Sequence, residues 1–327
     1  MVSIGIKINT ARVTPTAEGR VLEVIISSSN MLDYAGIKSI KSQSEELVAS
    51  QLNLAQLGQS YAIATPKDPL RGYGVGILPF WGKYFLMAGK GTPRNFKITP
   101  ISGFPDLDLS VSYVPIEIPT EIRFPFIGAL REFFEEVGLR KENLLQFIAV
   151  KGIENICEGG YEEIIPFIYA QVLKQKPAEN RDRLELYRSL LSITNLSSEE
   201  AVLKFNLVNS LEETFGIKKD TIILRDEEGN TLSRSHGFFY WDPPTAGVNI
   251  IYLAELHTDA IPFSSEFIYG TERLDPNSYL VAIEPEKILA LSDPQELEVM
   301  LYTSTGSGIT KVKTVPGGFN LALAELA

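Results

Sequence analysis

Arg131-Glu-Phe-Phe-Glu-Glu-Val-Gly-Leu139 is the stretch on which the reading of this chain turns. With Pro125-Phe-Ile-Gly-Ala-Leu before it, it predicts a helix from Pro125 to Val137. Gly138 stops that helix, being suited to the left-handed position just past a helix end. At about 100° per residue, Glu132, Glu135 and Glu136 fall within an arc of roughly 100°. Ile127, Leu130, Phe134 and Val137 fall on the opposite side and offer an apolar face to a sheet. Carboxylates at i, i+3 and i+4 repel one another by roughly 0.2–0.5 kcal/mol per pair, and Arg131, four residues before Glu135, offsets only part of that. A divalent cation would remove the rest. Hard oxygen ligands suit Mg²⁺ or Mn²⁺, which also bind phosphates. A solvated acidic helix face, in a structural or interaction protein, is the competing reading.

Working outward, Val75–Phe80 and Lys83–Ala88 read as strands around a Trp81-Gly82 turn, and Phe96–Ile101 as a third strand. An irregular excursion containing Pro115 and Pro119 leads to the helix. Leu144–Val150 and Ile164–Leu173 are β-branched apolar runs and read as strands. The breaker-rich Ala64–Gly74 and the polar Lys174–Arg183 mark boundaries. They divide the chain into an N-terminal β-rich segment (1–68), a central domain (69–178) and a C-terminal α/β region (179–327). The first segment is expected to hold strands at Ser3–Asn9 and Val21–Ser27 and a helix beginning at Ser44. The last is expected to hold helices at Leu184–Leu191 and Ser198–Phe215 and strands at Thr221–Leu224, Val248–Leu256 and Tyr279–Ile283. Gly72-Tyr-Gly-Val-Gly lacks the spacing of a phosphate-binding loop and is expected to be a turn.

Of 327 residues, 44% are hydrophobic and 22% charged, which excludes disordered, collagenous and coiled-coil classes. Residues 177–327 hold twelve basic and twenty-three acidic side chains, so the net charge of −11 lies in that part. Such a surface repels a phosphate backbone, and no nucleic-acid partner is expected. No apolar run reaches the ~18 residues of a membrane span, and no secretory signal precedes the first strand, so a cytoplasmic protein is expected. A single cysteine, Cys157, excludes a disulfide within the chain, and His236 and His257 stand too far apart to suggest a metal pair. Trp81 and Trp241 are expected to be structural.

Arg131–Leu139 resembles the second half of the Nudix box, arginine-glutamate-hydrophobic-x-glutamate-glutamate-x-glycine-hydrophobic, and matches all seven specified positions. Val75–Lys90 and Ile98–Phe104 look like the strands that lead into such a box. Gly159-Gly-Tyr-Glu-Glu-Ile-Ile-Pro-Phe is similar to the loop and strand that often supply a further glutamate. The resemblance spans roughly residues 70–178. It implies a Nudix-like α/β/α sandwich with a mixed sheet, and a metal-dependent pyrophosphohydrolase acting on a nucleoside diphosphate linked to another group, or on another small diphosphate. It also implies Mg²⁺ or Mn²⁺ held by Glu132, Glu135, Glu136 and Glu163 (or its neighbour Glu162), with Arg131 orienting one of the carboxylates.

The first half of the box departs from the pattern. Arg123 stands where a glutamate is expected and Glu117 where a glycine is expected. With Gly103 as the box glycine, the connection to the helix is fourteen residues longer than usual, and Glu117 or Glu121 would stand in for the missing glutamate. A catalytically inactive Nudix-derived nucleotide-binding or regulatory protein is therefore the alternative. Leu211-Glu-Glu-Thr-Phe-Gly-Ile is similar to Phe134-Glu-Glu-Val-Gly-Leu, which raises a degenerate second Nudix-like unit in the C-terminal region. Val208 and Asn209 stand there in place of arginine and glutamate. Monomer and homodimer both stay open.

Overall fold

A computed structural model describes residues 4–33, 61–64, 72–103, 125–137, 148–156, 203–208, 212–242, 247–257, 278–303 and 306–326. In chain order these form β1 (Ile4–Thr16), β2 (Gly19–Asp33), β3 (Tyr61–Ala64), β4 (Gly72–Trp81), β5 (Tyr84–Thr92), β6 (Asn95–Thr99) and β7 (Ile101–Gly103). Helix α1 (Pro125–Val137), β8 (Ile148–Lys151), α2 (Ile153–Ile156), β9 (Leu203–Val208), α3 (Glu212–Phe215), β10 (Asp220–Arg225) and β11 (Thr231–Asp242) follow. The chain continues through β12 (Gly247–His257), β13 (Ser278–Ile283), α4 (Pro285–Ala290), β14 (Glu296–Thr303), β15 (Gly306–Lys313) and α5 (Gly318–Leu326). The protein is thus mixed α/β, with one large strand system and few helices among the described residues. None of the described helices is long and apolar enough to cross a membrane.

The strands run in the order β15-β14-β13-β5-β4-β12-β11-β10-β2-β1-β3, with β6 beside β5, β7 beside β4, β9 beside β12 and β8 beside β9. All three segments divided by the sequence contribute to it. β2 pairs in parallel with β10, β4 in parallel with β12, and β5 antiparallel with β13. The ten-residue parallel pair of β4 and β12 forms the spine, and the sheet forks on both of its sides. On β4, β7 pairs with Val75–Ile77 and β5 with Phe80 and Trp81. Pro79 lies between the two partners and has no N–H to give to a ladder. On β12, β11 pairs with Gly247–Ile251 and β9 with Leu253–His257, leaving Tyr252 at the split.

Alternation along β12 sends neighbouring side chains to opposite faces. Ile251 and Leu253 join Leu78 and Phe238 in a core with Ile288 of α4 and Phe319 and Leu323 of α5. Tyr252 points the other way, meeting Phe126 of α1 edge-on at 6.5 Å and sharing a 2.9 Å hydrogen bond with the buried Ser235 hydroxyl. Helices therefore cover both faces of the spine.

β11 bridges two parts of the sheet. Its first half pairs with β10 as far as Gly237, and its second half, from Phe238, pairs with β12. A buried ion pair holds this corner. Arg20 Nη2 donates to Asp220 Oδ2 at 2.6 Å and to the Phe239 carbonyl at 2.9 Å, and the Phe239 N–H donates to Asp220 Oδ2 at 3.0 Å. The Arg20 guanidinium also lies 4.0 Å from the centre of the Phe239 ring.

Two expectations are corrected. Residues 198–215 are not one helix: Leu203–Val208 is strand β9, and the helix covers only Glu212–Phe215. Leu-Lys-Phe-Asn-Leu alternates apolar and polar residues, and that period of two prevails beside β12. Gly72-Tyr-Gly-Val-Gly is not a turn but the first half of β4, where the missing side chains at Gly74 and Gly76 admit the Asn249 carboxamide and the β7 backbone. The helices expected from Ser44 and at Leu184–Leu191, the strand expected at Ile164–Leu173 and the polar boundary Lys174–Arg183 lie outside the described residues.

Candidate functional site

Helix α1 begins with Pro125, whose fixed φ and absent N–H suit a first helical position. The turn that follows, Phe-Ile-Gly-Ala, is uniformly apolar, and residues 125–129 are all buried. The helix lies over β4 and β7. Phe133, two turns after Phe126, is fully buried and anchors its middle. Burial extends further round the helix than the sequence suggests. Ile127 is buried as expected, but so is Glu132, at 4% exposure, on the side assigned to solvent or metal. The anchoring aromatic is Phe133, and the Phe134 side chain lies outside the described residues.

The place of Glu132 follows from Gly103, the last residue of β7. A Cβ on Gly103 would overlap all three terminal atoms of the Glu132 carboxylate. Only a glycine there lets that carboxylate rest against the strand backbone. Gly103 pairs with Val75 of β4, so the spine fixes the height at which the carboxylate sits. A buried carboxylate needs a partner, and Glu132 has one. The structure thus brings Glu132 together with Gly103.

Glu135 and Glu136 belong to the same helix, in its last turns. Their side chains, that of Arg131, and the whole of Glu117, Glu121, Glu162, Glu163 and Cys157 lie outside the described residues. Among the described residues, no group of three or more His, Cys, Asp and Glu is placed to hold a metal ion. His236 is buried on β11, with Nδ1 3.3 Å from the Thr221 hydroxyl. Trp81 ends β4 opposite Tyr84.

Sequence reasoning missed the contact between Gly103 and Glu132 as a contact. The signal for it was present in Ser102-Gly103 at the end of a short strand, but nothing in the spacing said which helix residue would fill the gap.

No protein-family model matches the chain, and no curated protein or solved structure matches it significantly.

Proposed function

We propose that the chain is a metal-dependent hydrolase of a small diphosphate, with a nucleoside diphosphate linked to a second group as the substrate class. The resemblance of Arg131–Leu139 to the Nudix box gives the chemistry, and one observation carries the reading: Glu132 is buried against the backbone of Gly103, in a gap that any side chain at 103 would fill. A carboxylate fixed in this way is pre-set for one geometry, as a ligand or an orienting group needs to be. Helices over both faces of the β4–β12 spine support a Nudix-like α/β/α sandwich.

In this reading Glu132, Glu135, Glu136 and Glu163 would hold Mg²⁺ or Mn²⁺. The ion would supply neutralisation of the diphosphate and a more acidic attacking water. Arg131 would orient one of the carboxylates by a charge-assisted hydrogen bond. Phe126, Ala129 and Phe133 seat the helix on the sheet, so that the helix bearing the glutamates is held by packing.

A second reading, nucleotide binding or regulation without turnover, is favoured by the same burial, since a carboxylate at 4% exposure that already has a partner also suits a purely structural post. A panel of diphosphates incubated with Mg²⁺ or Mn²⁺, with products identified by mass, separates the two. Metal-dependent release of phosphate monoesters supports hydrolysis. Binding without products supports the second reading.

A further inference from the structure

A second feature lies on the other face of the spine, where α5 begins. Its Phe319 ring packs edge-on against Phe238 and Tyr240, each 5.6 Å away, and fixes the helix on the sheet. The entry to α5 is held by β6: the Val315 N–H donates to the Phe96 carbonyl at 2.9 Å. The first N–H groups of any helix have no acceptor within it, and here these belong to Gly318, Phe319 and Asn320.

Asn320 is only 1% exposed. Its Oδ1 accepts the Gly317 N–H at 3.2 Å, which fixes which end of the amide is oxygen, and its Nδ2 has no partner. Two unmet N–H donors are therefore held at the start of a nine-residue helix. Lys97 of β6 crosses the same point, its Cε 2.9 Å from where a Gly317 Cβ would stand. No carboxylate among the described residues pairs with it. A buried amide donor, a helix N-terminus and an ammonium all call for negative charge, and no carboxylate among the described residues is paired with them there.

We propose that the junction of Lys97, Gly317 and Asn320 is a binding site for a tetrahedral oxyanion, either inorganic phosphate or the phosphate group of a small molecule. The Asn320 Nδ2 and the first backbone N–H groups of α5 hold the oxygens. Lys97 Cε lies beside Gly317, and a change of the side chain's rotamers would bring the ammonium onto the anion. This site is separate from the α1 glutamates, takes no metal, and does not depend on the hydrolase reading.

The test uses the full chain in EDTA at constant ionic strength, titrated with inorganic phosphate and, separately, with methyl phosphate, and followed by calorimetry and thermal melting. Saturable binding is expected, with a rise of roughly 2–4 °C at about ten times the dissociation constant. A response to both anions points to a phosphorylated small molecule, and a response to phosphate alone to the free ion. Asn320→Asp keeps the acceptor for Gly317 but puts a carboxylate in place of the donor, and should abolish the response. Lys97→Met keeps the stem and should weaken binding roughly tenfold, which provides a check should the Asp variant fail to fold. No binding of either anion by the wild type, or an unchanged response in both variants, overturns the proposal.

Discussion

The Glu132 carboxylate occupies the space that a Cβ of Gly103 would take. The two positions should therefore be coupled in stability. Gly103→Ala forces the carboxylate or the helix to move and should cost about 1–3 kcal/mol. In a Glu132→Ala background the same change should cost much less. Urea denaturation of the four chains of this cycle measures the coupling, and additive effects would show that the two residues do not share the space.

Replacing Glu135 and Glu136 together by Gln keeps their size and removes two like charges from α1. Turnover with Mg²⁺ should fall by roughly 100-fold or more. The metal-free fold should hold or gain a few tenths of a kcal/mol. Undiminished turnover in the double variant would remove these two residues from the site.

The pair of Arg20 and Asp220 should be hard to break one side at a time. Asp220 is 1% exposed and takes both the guanidinium and the Phe239 N–H. Arg20→Met leaves that carboxylate buried with one partner fewer and should cost about 3–5 kcal/mol. The loss should change little between low and high salt, because the pair is screened poorly by solvent ions. Thermal melts at two ionic strengths check both points.

Glu284 predicts a small acid-sensitive contribution. Its carboxylate is held below its ordinary value, first by the Lys83 ammonium at 3.0 Å and then by Lys287 at 3.2 Å. A depressed carboxylate stabilises the fold above its unfolded pKa and loses that effect as pH falls through the lower folded value. Glu284→Gln should therefore lower the melting temperature slightly at neutral pH, and the difference should shrink as pH falls below the ordinary carboxylate range. Both partners are on the surface, so added salt should erase the difference.

Much of the architecture was legible where local pattern and tertiary setting agree. The helix Pro125–Val137 has the limits its apolar spacing predicts, and the β4–β5 hairpin closes one residue later than expected, at Gly82-Lys83, with Trp81 still in the strand opposite Tyr84. Strands β10, β12 and β13 lie where β-branched runs place them. Strand β11 is not legible in the sequence, because Thr-Leu-Ser-Arg-Ser-His-Gly begins polar and carries a glycine. Its role as a strand shared between two parts of the sheet is a property of its partners. The burial of Glu132 was hidden for a related reason: helical angles order residues around an axis but do not say how much of the circumference a sheet and an apolar first turn will cover. The site was legible as a set of residue types on one helix, and its contact with Gly103 was not, since that joins residues on two elements separated by an excursion with no pattern.

The register of the spine has a consequence for synthesis. Gly72 of β4 lies beside Gly247 of β12, and the same offset of 175 residues holds along the whole pair. At about 5–20 residues per second, β4 would leave the ribosome roughly 9–35 s before its partner existed. Until then one edge of Gly-Tyr-Gly-Val-Gly-Ile-Leu-Pro-Phe-Trp stands open over ten residues, apolar in its second half, an invitation to pair with another nascent chain. Protection during that interval falls to a chaperone or to a provisional cover from elsewhere in the chain. A release of synthesis near residue 178 would leave a product whose fate is aggregation, however well its own helix and hairpin form.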